Sequence, residues 1–438
     1  MTRVLNRTHD PAARSFVESA SRAGGDFPIQ NLPFGVFRRR GRNEAERIGV
    51  AIGDQIVDLN RAAGQGLFAA LGSDLQAVLV ARGLNPILAL GRPAGAAIRA
   101  RLFDLLREDG PSRDQVVDCL VPMESAELLL PVVVGDYTDF YASVYHATNV
   151  GSMFRPENPL LPNYKHVPIG YHGRSSSIVV SGAAVKRPMG QVKGDQTAAP
   201  VFGPTRSLDY ECEVGAYLTG GNPRGTEIPI GEAEDHLFGL SLLNDWSARD
   251  IQAWEYQPLG PFLAKNFATS VSPWVVTMDA LAPFRVAAFD RPTGDPDPLP
   301  YLFAEADRRG GGLAVTVEVY LTTSRTRAEG LPPVQLSRGT LASMYWTLAQ
   351  LVTHHASNGC NFRPGDLIGS GTISGPTKDS RGCLLELTWR GSEPLTLPNG
   401  ETRRFLADGD EVILRGYCEK DGAARIGFGE CRGTIEPA

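Results

Sequence analysis

The residues best suited to chemistry lie in one stretch, 135–182, which mixes carboxylates, phenols, imidazoles and guanidinium groups. Asp139 precedes His146 by about two turns if this segment is helical, and Arg155 and Tyr171 follow. Surface loops favour lysine and glutamate and cores favour aliphatic side chains, so this mixture is typical of neither. It predicts a polar cavity that binds a small anionic molecule, with His146 as the best catalytic candidate among the histidines.

Three more carboxylates are placed where strands would present them. Glu211 and Glu213 are two residues apart in a predicted strand and would face the same side, although a solvent-facing alternation also fits. Asp245 ends a long apolar run, so a buried strand would carry its carboxylate at the tip. With Asp139 these form a set of four acidic groups without a neighbouring cysteine or histidine. Such a set suits Mg²⁺ or Ca²⁺ better than zinc.

The segment after Asp245 supplies polar and basic groups. Arg249, Gln252 and Tyr256 fall at helical positions i, i+3 and i+7 and share one face, and Lys265 follows closely. An amphipathic surface helix would show the same spacing. A polar face that begins beside a carboxylate cluster favours a functional site.

The glycine-rich stretch 369–375 has the spacing GxGxxxG and is followed by Pro376 instead of a helix. A dinucleotide-binding turn would require a different spacing and a helix after it. The stretch instead predicts a turn that presents Thr372 and backbone N–H groups to a ligand.

The bulk properties exclude several classes of protein. A formal charge of −6 and the lack of a basic stripe argue against nucleic-acid binding. No apolar run reaches the 18 or so residues of a membrane span. Six scattered cysteines without CxxC spacing indicate reduced thiols in a cytosolic protein. The length of 438 residues predicts two domains.

The first third of the chain predicts a small structural domain. Residues 1–28 show no periodicity and indicate a poorly ordered leader or an embracing arm. Strand-like runs follow at Phe34–Arg38, Arg47–Ile52 and Gln55–Leu59, and helical periodicity then continues past Pro93. We place a domain boundary near Ser125–Pro131.

Strand patterns dominate the rest of the chain, which predicts a large, mostly β domain after a small α+β domain. Candidate strands are Ser177–Ser181, Glu211–Leu218, Leu237–Leu243, Pro273–Met278, Leu313–Leu321, Asp366–Ile368, Leu384–Trp389 and Glu411–Gly416. Two helices are predicted, one between Asp245 and Pro258 and the other from about Thr340 to Gly359. The proline-rich segment Phe289–Gly312 between them is predicted to be a surface excursion.

Several long motifs resemble the fumarylacetoacetate hydrolase family. They include GDYTDFYASVYHATNVGSMFR, LLPNYKHVPIGYHGRSSSIVVSG, DYECEVGAYL, LLNDWSARDIQAWEYQPLGPFLAKNFATSVSPWVV, MYWTLAQLVTHHASNGCNFRPGDLIGSGTISGP and FLADGDEVI. These motifs cover roughly residues 130–420 in collinear order. The first third resembles the family more loosely.

The resemblance implies a homodimeric cytoplasmic enzyme of tyrosine and phenylalanine breakdown. It implies a small N-terminal β-barrel-like domain, residues 1–128, and a C-terminal mixed β-sandwich roll, residues 129–438. The implied reaction is metal-dependent hydrolysis of a C–C bond in a dianionic diketo acid, 4-fumarylacetoacetate.

The resemblance also implies roles for individual residues. The divalent cation, Mg²⁺ or Ca²⁺, would be bound by Asp139, Glu211, Glu213 and Asp245, with further contacts from Lys265 and Thr269. His146 would be the general base, with Glu386 as its orienting carboxylate. The oxyanion would be stabilised by Arg249, Gln252 and Lys265. The substrate would contact Tyr141, Arg155, Tyr171, Gln252, Tyr256 and Thr372.

Three features depart from the animal pattern of the family. The segment after Arg155 is about one residue shorter, the excursion at 285–312 differs in length, and Ala264 and Ala268 stand in place of glycines. The alanines predict that the backbone near Lys265 and Thr269 is placed differently from that in the animal enzymes. The alternatives are another hydrolase, hydratase or decarboxylase of a β-dicarbonyl compound, such as an acylpyruvate hydrolase, and a non-catalytic metal-binding scaffold.

Overall fold

The computed structural model describes residues 5–194 and 199–438. Its helices are α1 Leu59–Gly64, α2 Ser73–Leu79, α3 Asn85–Ala89, α4 Arg92–Leu106, α5 Arg113–Val117, α6 Val144–Phe154, α7 Arg249–Glu255, α8 Glu305–Gly310, α9 Ser324–Ala328, α10 Leu348–Ala356 and α11 Leu384–Leu387. Its first strands are β1 Phe34–Arg39, β2 Arg47–Ile52, β3 Gln55–Asp58, β4 Leu120–Pro122, β5 Ala126–Leu129, β6 Tyr137–Phe140, β7 Gly170–Gly173, β8 Ile178–Val180, β9 Val185–Lys186, β10 Met189–Val192, β11 Val201–Pro204, β12 Leu208–Asp209 and β13 Cys212–Leu218. The others are β14 Leu237–Asp245, β15 Ser247–Ala248, β16 Thr269–Val271, β17 Val276–Thr277, β18 Arg285–Val286, β19 Gly312–Leu313, β20 Thr316–Thr322, β21 Val334–Thr340, β22 Leu367–Gly369, β23 Leu395–Thr396, β24 Thr402–Arg403, β25 Glu411–Cys418 and β26 Ile426–Glu436.

The N-terminal part is an antiparallel sheet of five strands, in the order β4-β3-β2-β1-β5, with helices packed beside it. The predicted hairpin of β2 and β3 turns at Gly53, whose φ of 56° suits glycine. Helix α4 has Pro93 in its first turn, as the sequence predicts. It packs against the back of β14, where a Cβ on Gly95 would lie 2.4 Å from the ring of Phe238.

Residues 5–28 form an arm that is held by buried contacts, so the prediction of a poorly ordered leader is wrong for them; residues 1–4 lie outside the described part. Arg99 of α4 is 2% exposed and donates from Nη1 to Thr8 Oγ1 (2.5 Å) and from Nε to the carbonyl of Asn31 (3.1 Å). Its Nη2 donates to the carbonyls of Thr8 and Gln30. One buried guanidinium group therefore ties the start of the arm to the residues that directly follow it.

Replacing Arg99 with leucine is expected to lower the free energy of unfolding by about 2–4 kcal/mol, because several buried acceptors lose a charged donor. Urea unfolding followed by fluorescence measures this loss. Arg101→Leu is the matched control on the same helix, since within the described part of the chain Arg101 makes a single hydrogen bond, to the carbonyl of Leu67 (2.7 Å). Equal losses in the two variants would contradict the anchoring role.

Two further sheets dominate the rest of the described chain, which also contains four two-stranded sheets. The first has the order β7-β6-β22-β13-β14-β16-β8, with β17 also paired to β14. Its pairs are antiparallel except for β22 with β6 and β16 with β8. The second sheet has the order β21-β20-β25-β26-β9. A large apolar core, which includes Trp246 and Phe428, lies between the sheets and the surrounding helices.

The fold is mostly β with mixed α/β elements, as predicted. Most predicted strands appear within one or two residues of their expected bounds. The strand predicted at Leu384–Trp389 is wrong, because this segment is the short helix α11. The strand predicted at Pro273–Met278 shrinks to β17, and the long helix from Thr340 begins only at Leu348. Within the described ranges no helix combines the length and the apolar character needed to cross a bilayer.

Candidate active site

The four carboxylates Asp139, Glu211, Glu213 and Asp245 converge in the interior. One oxygen of each lies within 4.8 Å of those of the other three, and each of the four residues is at most 5% exposed. The structure thus brings together residues that are up to about 100 positions apart in the chain. Four buried acids at this spacing repel one another strongly unless positive charge lies among them.

Strand register explains why they meet. In the large sheet, Asp139 of β6 pairs with Gly369 of β22, and Gly369 pairs in turn with Gly215 of β13. Glu213 lies two residues before Gly215, and therefore on the same face of β13. A Cβ on Gly369 would be 2.4 Å from Asp139 Oδ1 and 3.2 Å from Glu213 Oε2, so a side chain at this position would fill the space between the carboxylates.

The glycine-rich stretch forms one wall of this cluster. Gly371 has a φ of 77° and donates its N–H to Glu213 Oε2 (3.0 Å). A Cβ there would lie 2.2 Å from the carbonyl of Phe140. The predicted turn therefore does present a backbone N–H, but in this structure the acceptor is a carboxylate of the protein. Thr372 is buried, and its Oγ1 has no hydrogen-bond partner among the described residues.

The surroundings of Asp139 and Glu213 disfavour a negative charge on these two carboxyl groups. Burial, and then the nearby Asp245, raise the pKa of Asp139 well above its usual range. Burial, and then Asp139 and Glu211, do the same to the pKa of Glu213. Asp139 Oδ1 and Glu213 Oε1 are buried without a hydrogen-bond partner in the described part of the chain. Unpaired oxygens in a ring of acids fit a hard divalent cation.

Lysine and arginine neutralise the other side of the cluster. Lys265 Nζ donates to Glu211 Oε2 (2.5 Å) and Asp245 Oδ2 (2.7 Å), and Arg249 Nη1 donates to Glu211 Oε1 (2.7 Å). Burial alone would raise the pKa of Glu211, but these two cations outweigh it and hold the pKa well below its usual value. Thr269 Oγ1 lies 3.4 Å from Asp245 Oδ1, so both Lys265 and Thr269 lie beside the predicted ligands.

His146 and Glu386 form a buried pair beside this cluster. His146 Nδ1 lies 2.6 Å from Glu386 Oε2, and the two residues are 3% and 0% exposed. Burial would raise the pKa of Glu386, but His146 and hydrogen bonds from Asn149 and Ser374 hold it at about 2. An ionised carboxylate only accepts, so Nδ1 donates to it, and in the neutral imidazole the lone pair is then on Nε2. The imidazole is thereby prepared to accept a proton at Nε2.

Three residues that contact Glu386 were not predicted from the sequence. Asn149 Nδ2 donates to Glu386 Oε1 (2.8 Å), while Ser374 Oγ (2.8 Å) and Cys383 Sγ (3.2 Å) donate to Oε2. Asn149 is one turn after His146 on α6, so the correct prediction of that helix would have identified it. Nothing in the local sequence marks Ser374 or Cys383.

The predicted substrate contacts divide into two groups. Near the cluster, Tyr171 Oη donates to Asp245 Oδ2 (2.6 Å), Gln252 Oε1 accepts from Arg249 Nη1 (3.1 Å), and the ring of Tyr141 lies edge-on to His146 with centroids 5.2 Å apart. Arg155 contacts the carbonyl of Pro159 instead (Nη2, 3.4 Å), and its Nε is buried without a partner among the described residues. Tyr256 caps the end of α7. Within residues 5–194 and 199–438, neither Arg155 nor Tyr256 bonds to the cluster or to the histidine pair.

Comparisons with known proteins give a consistent result. Two sequence models match, Fumarylacetoacetase N-terminal over residues 30–131 and Fumarylacetoacetate (FAA) hydrolase C-terminal over residues 136–436. The chain is 49% identical over 434 residues to a fumarylacetoacetase of Bos taurus, covering 97% of this chain and 99% of that protein. It is 49% identical over 432 residues to a fumarylacetoacetase of Oryza sativa subsp. japonica, covering 97% of each.

One solved structure, a fumarylacetoacetate hydrolase from the psychrophile Exiguobacterium antarcticum, superposes with a TM-score of 0.50 at 17% identity. The match covers 93% of this chain and 100% of that one. At this identity the similarity concerns the fold alone.

Proposed function

Because the chain belongs to the fumarylacetoacetase family, we propose that it hydrolyses 4-fumarylacetoacetate to fumarate and acetoacetate. The observation that carries the proposal is the buried ring of four carboxylates next to the His146–Glu386 pair. Together the two groups of residues provide a cation site and a base. The proposal places the enzyme in tyrosine and phenylalanine breakdown and, with that pathway, in the cytoplasm.

Asp139, Glu211, Glu213 and Asp245 would hold a divalent cation, Mg²⁺ or Ca²⁺, and Lys265 and Thr269 would lie next to it. When bound, the cation would supply Lewis acidity to the two oxygens of the diketone and so favour departure of acetoacetate as an enolate. The fit depends on the unpaired carboxylate oxygens of Asp139 and Glu213 and on the space that Gly369 leaves open.

The residues of the chain itself perform the proton transfers. We propose that His146 Nε2 accepts a proton from the water that attacks the carbonyl carbon of the fumaryl group, which becomes a carboxyl carbon of fumarate. The hydroxyl stays on that carbon, the C–C bond breaks, and the proton returns to the carbon of the departing enolate. Glu386 stabilises the imidazolium that exists between these steps, as a buried carboxylate on Nδ1 does in other catalytic pairs.

The tetrahedral oxyanion needs fixed donors, and Arg249, Gln252 and Lys265 are the proposed ones. Each would contribute about 3–4 kcal/mol to the transition state if it behaves as other oxyanion donors do. Burial in a site that excludes water strengthens such contacts. The Nη2 of Arg249 is buried and lacks a partner among the described residues, which leaves it available for this role.

The substrate carries a carboxylate at each end, and the remaining predicted residues would bind these ends. Tyr171 remains a neutral hydrogen-bond donor because burial, and then Asp245, raise the pKa of its phenol. We propose that Tyr141, Tyr171 and Thr372 line the inner part of the pocket. Arg155 and Tyr256 would contact the outer carboxylate after side-chain movement, since they do not reach the cluster in the present arrangement.

The product identity tests the proposal directly. Purified protein, synthetic 4-fumarylacetoacetate and Mg²⁺ should yield equal amounts of fumarate and acetoacetate, followed by proton NMR. Other products, or conversion no faster than in buffer, would contradict the proposed function. A cleaved acylpyruvate with no cleavage of fumarylacetoacetate would instead support a related β-dicarbonyl hydrolase.

We also propose the division into domains 1–128 and 129–438, with the barrel-like and sandwich-roll shapes that the resemblance implies. The end of β5 at Leu129 supports this position, because the first sheet is complete there. The two family sequence models change over nearby, between residues 131 and 136.

We also propose a homodimer, which is supported by an apolar surface formed by the end of α7 and the loop after it. Trp254, Leu259 and Phe262 are 43%, 96% and 67% exposed. Large apolar side chains grouped on a surface are typical of protein interfaces. We propose that a second copy of the chain covers this loop.

Sedimentation velocity should therefore show a dimer, and Leu259→Asp should shift it toward monomer at micromolar concentration. Leu331→Asp, at another exposed leucine (41%), is the matched control and should leave the dimer intact. A monomeric wild type, or a dimer that Leu259→Asp does not weaken, would contradict the assignment of this loop.

A further inference from the structure

One buried carboxylate, Asp209, connects the two halves of the site without belonging to either. We infer that Asp209 is a positioning residue that holds Arg249 and the helix bearing Glu386 in a fixed arrangement. The inference rests on the proposed hydrolysis, because that reaction gives Arg249 and Glu386 their roles.

On the arginine side, Asp209 Oδ2 accepts from Arg249 Nε (2.9 Å), and Asp209 is 0% exposed. Arg249 Nη1 is already bonded to Glu211 and Gln252. Nη2 is then the one nitrogen of this guanidinium group without a partner in the described residues. Asp209 and Glu211 together fix the plane of the guanidinium group, and so they determine where Nη2 can donate.

On the other side, Asp209 caps helix α11. Its Oδ1 accepts from the N–H of Leu384 (2.8 Å) and its Oδ2 from the N–H of Leu385 (2.9 Å). The N-cap residue itself, Cys383, makes no side-chain cap. The first N–H groups of a helix need an acceptor, and here it comes from a residue 175 positions earlier in the chain. Glu386 is the next residue, so the cap fixes the backbone from which it extends toward His146.

The hydrogen bonds to Asp209 leave it no capacity for a ligand. Oδ1 also accepts from the N–H of Tyr210 (2.9 Å), so each oxygen accepts from two donors. A carboxylate has about four acceptor positions, and all four are used. Asp209 therefore acts through Arg249 and Glu386 and does not contact the substrate. In an asparagine variant, an NH₂ group would replace one of the two oxygens. This group would face two N–H donors and could not accept hydrogen bonds from them.

The test compares Asp209→Asn with Asp410→Asn in the full-length protein. Asp410 is the matched control, because it is 0% exposed and accepts from Arg403 Nε (2.8 Å) and the N–H of Ala407 (2.9 Å), away from the site. Asp209→Asn should lower kcat about 10- to 100-fold, as loss of a supporting contact does in other sites, with KM changed less than about threefold. Asp410→Asn should lower thermal stability and leave kcat within about threefold of the wild type.

A second readout reports on the cap itself. Hydrogen–deuterium exchange at the amides of Leu384 and Leu385 should accelerate in Asp209→Asn and not in Asp410→Asn. An unchanged kcat in Asp209→Asn, unchanged exchange at both amides, or equal loss of kcat in the two variants would each overturn the inference.

Asp209→Glu covers the case in which the asparagine variant does not fold. It keeps the charge but moves it by one methylene group, and the same criteria for kcat and exchange apply to it. If neither variant folds, Asp209 is a folding residue and the inference is wrong. A wild type without hydrolase activity overturns the proposed function and this inference with it, whereas an active wild type with an equally active Asp209→Asn overturns this inference alone.

Discussion

Turnover of fumarylacetoacetate is expected to fall by about 10²- to 10⁴-fold when His146 is replaced by alanine, the contribution that a positioned general base makes. Without the imidazole, no described side chain in the site combines a free lone pair with a carboxylate that supports its protonation. Glu386→Gln should cause a loss of similar order, because an amide cannot stabilise the imidazolium and permits the wrong tautomer. Initial rates at saturating Mg²⁺ measure both losses.

The histidine control is His354→Ala. His354 lies at the end of α10, where it bonds to Tyr301 (2.9 Å), and should be replaceable without loss of turnover. Divalent-cation binding should survive in His146→Ala, since His146 is outside the carboxylate ring. Near-normal turnover in both His146→Ala and Glu386→Gln would show that the pair is structural.

Asp245→Ala is expected to abolish cation binding and turnover together. Asp245 supplies one of the four converging oxygens, and it also accepts from Lys265 and Tyr171. Its loss should weaken binding more than about 100-fold, because even the removal of an outer contact at a metal site can cost 10- to 100-fold. Titration calorimetry with Mg²⁺ and with Ca²⁺, on protein first treated with chelator, measures the affinity.

Asp136→Ala is the matched control for this variant. Asp136 is an aspartate of the same sequence stretch, three positions before Asp139, but it is exposed and forms a surface ion pair with Arg363 (2.9 Å). Its removal should leave cation affinity unchanged. If Asp245→Ala binds the cation as tightly as the wild type, the four carboxylates do not form one site.

Three of the four carboxylate ligands could be predicted from the sequence, because the periodicity of strands determines which way their side chains face. Glu211 and Glu213 share a face by the period of two, and Asp245 ends an apolar run that becomes β14. Asp139 reaches them because β6 pairs in parallel with β22, a strand that comes much later in the chain. Pairing between such distant strands leaves no local signal, so the convergence itself came from the resemblance and then from the structure.

The segment after Cys383 shows where local patterns fail. Its short apolar run fits a strand or a buried helix equally well, and periodicity cannot separate the two. The helix is favoured because the carboxylate of Asp209, in the distant strand β12, accepts hydrogen bonds from the first free N–H groups of α11. The substrate contact of Arg155 stays a prediction from the resemblance, and in the structure its side chain contacts the carbonyl of Pro159.

Loss of the near-ultraviolet diketone absorbance of fumarylacetoacetate, followed with and without chelator, tests the central claim most directly. The carboxylate ring predicts rapid hydrolysis with bound cation, loss of nearly all turnover after chelation, and recovery when Mg²⁺ or Ca²⁺ is returned. Full turnover by a protein shown to be free of metal, in excess chelator, would contradict the account.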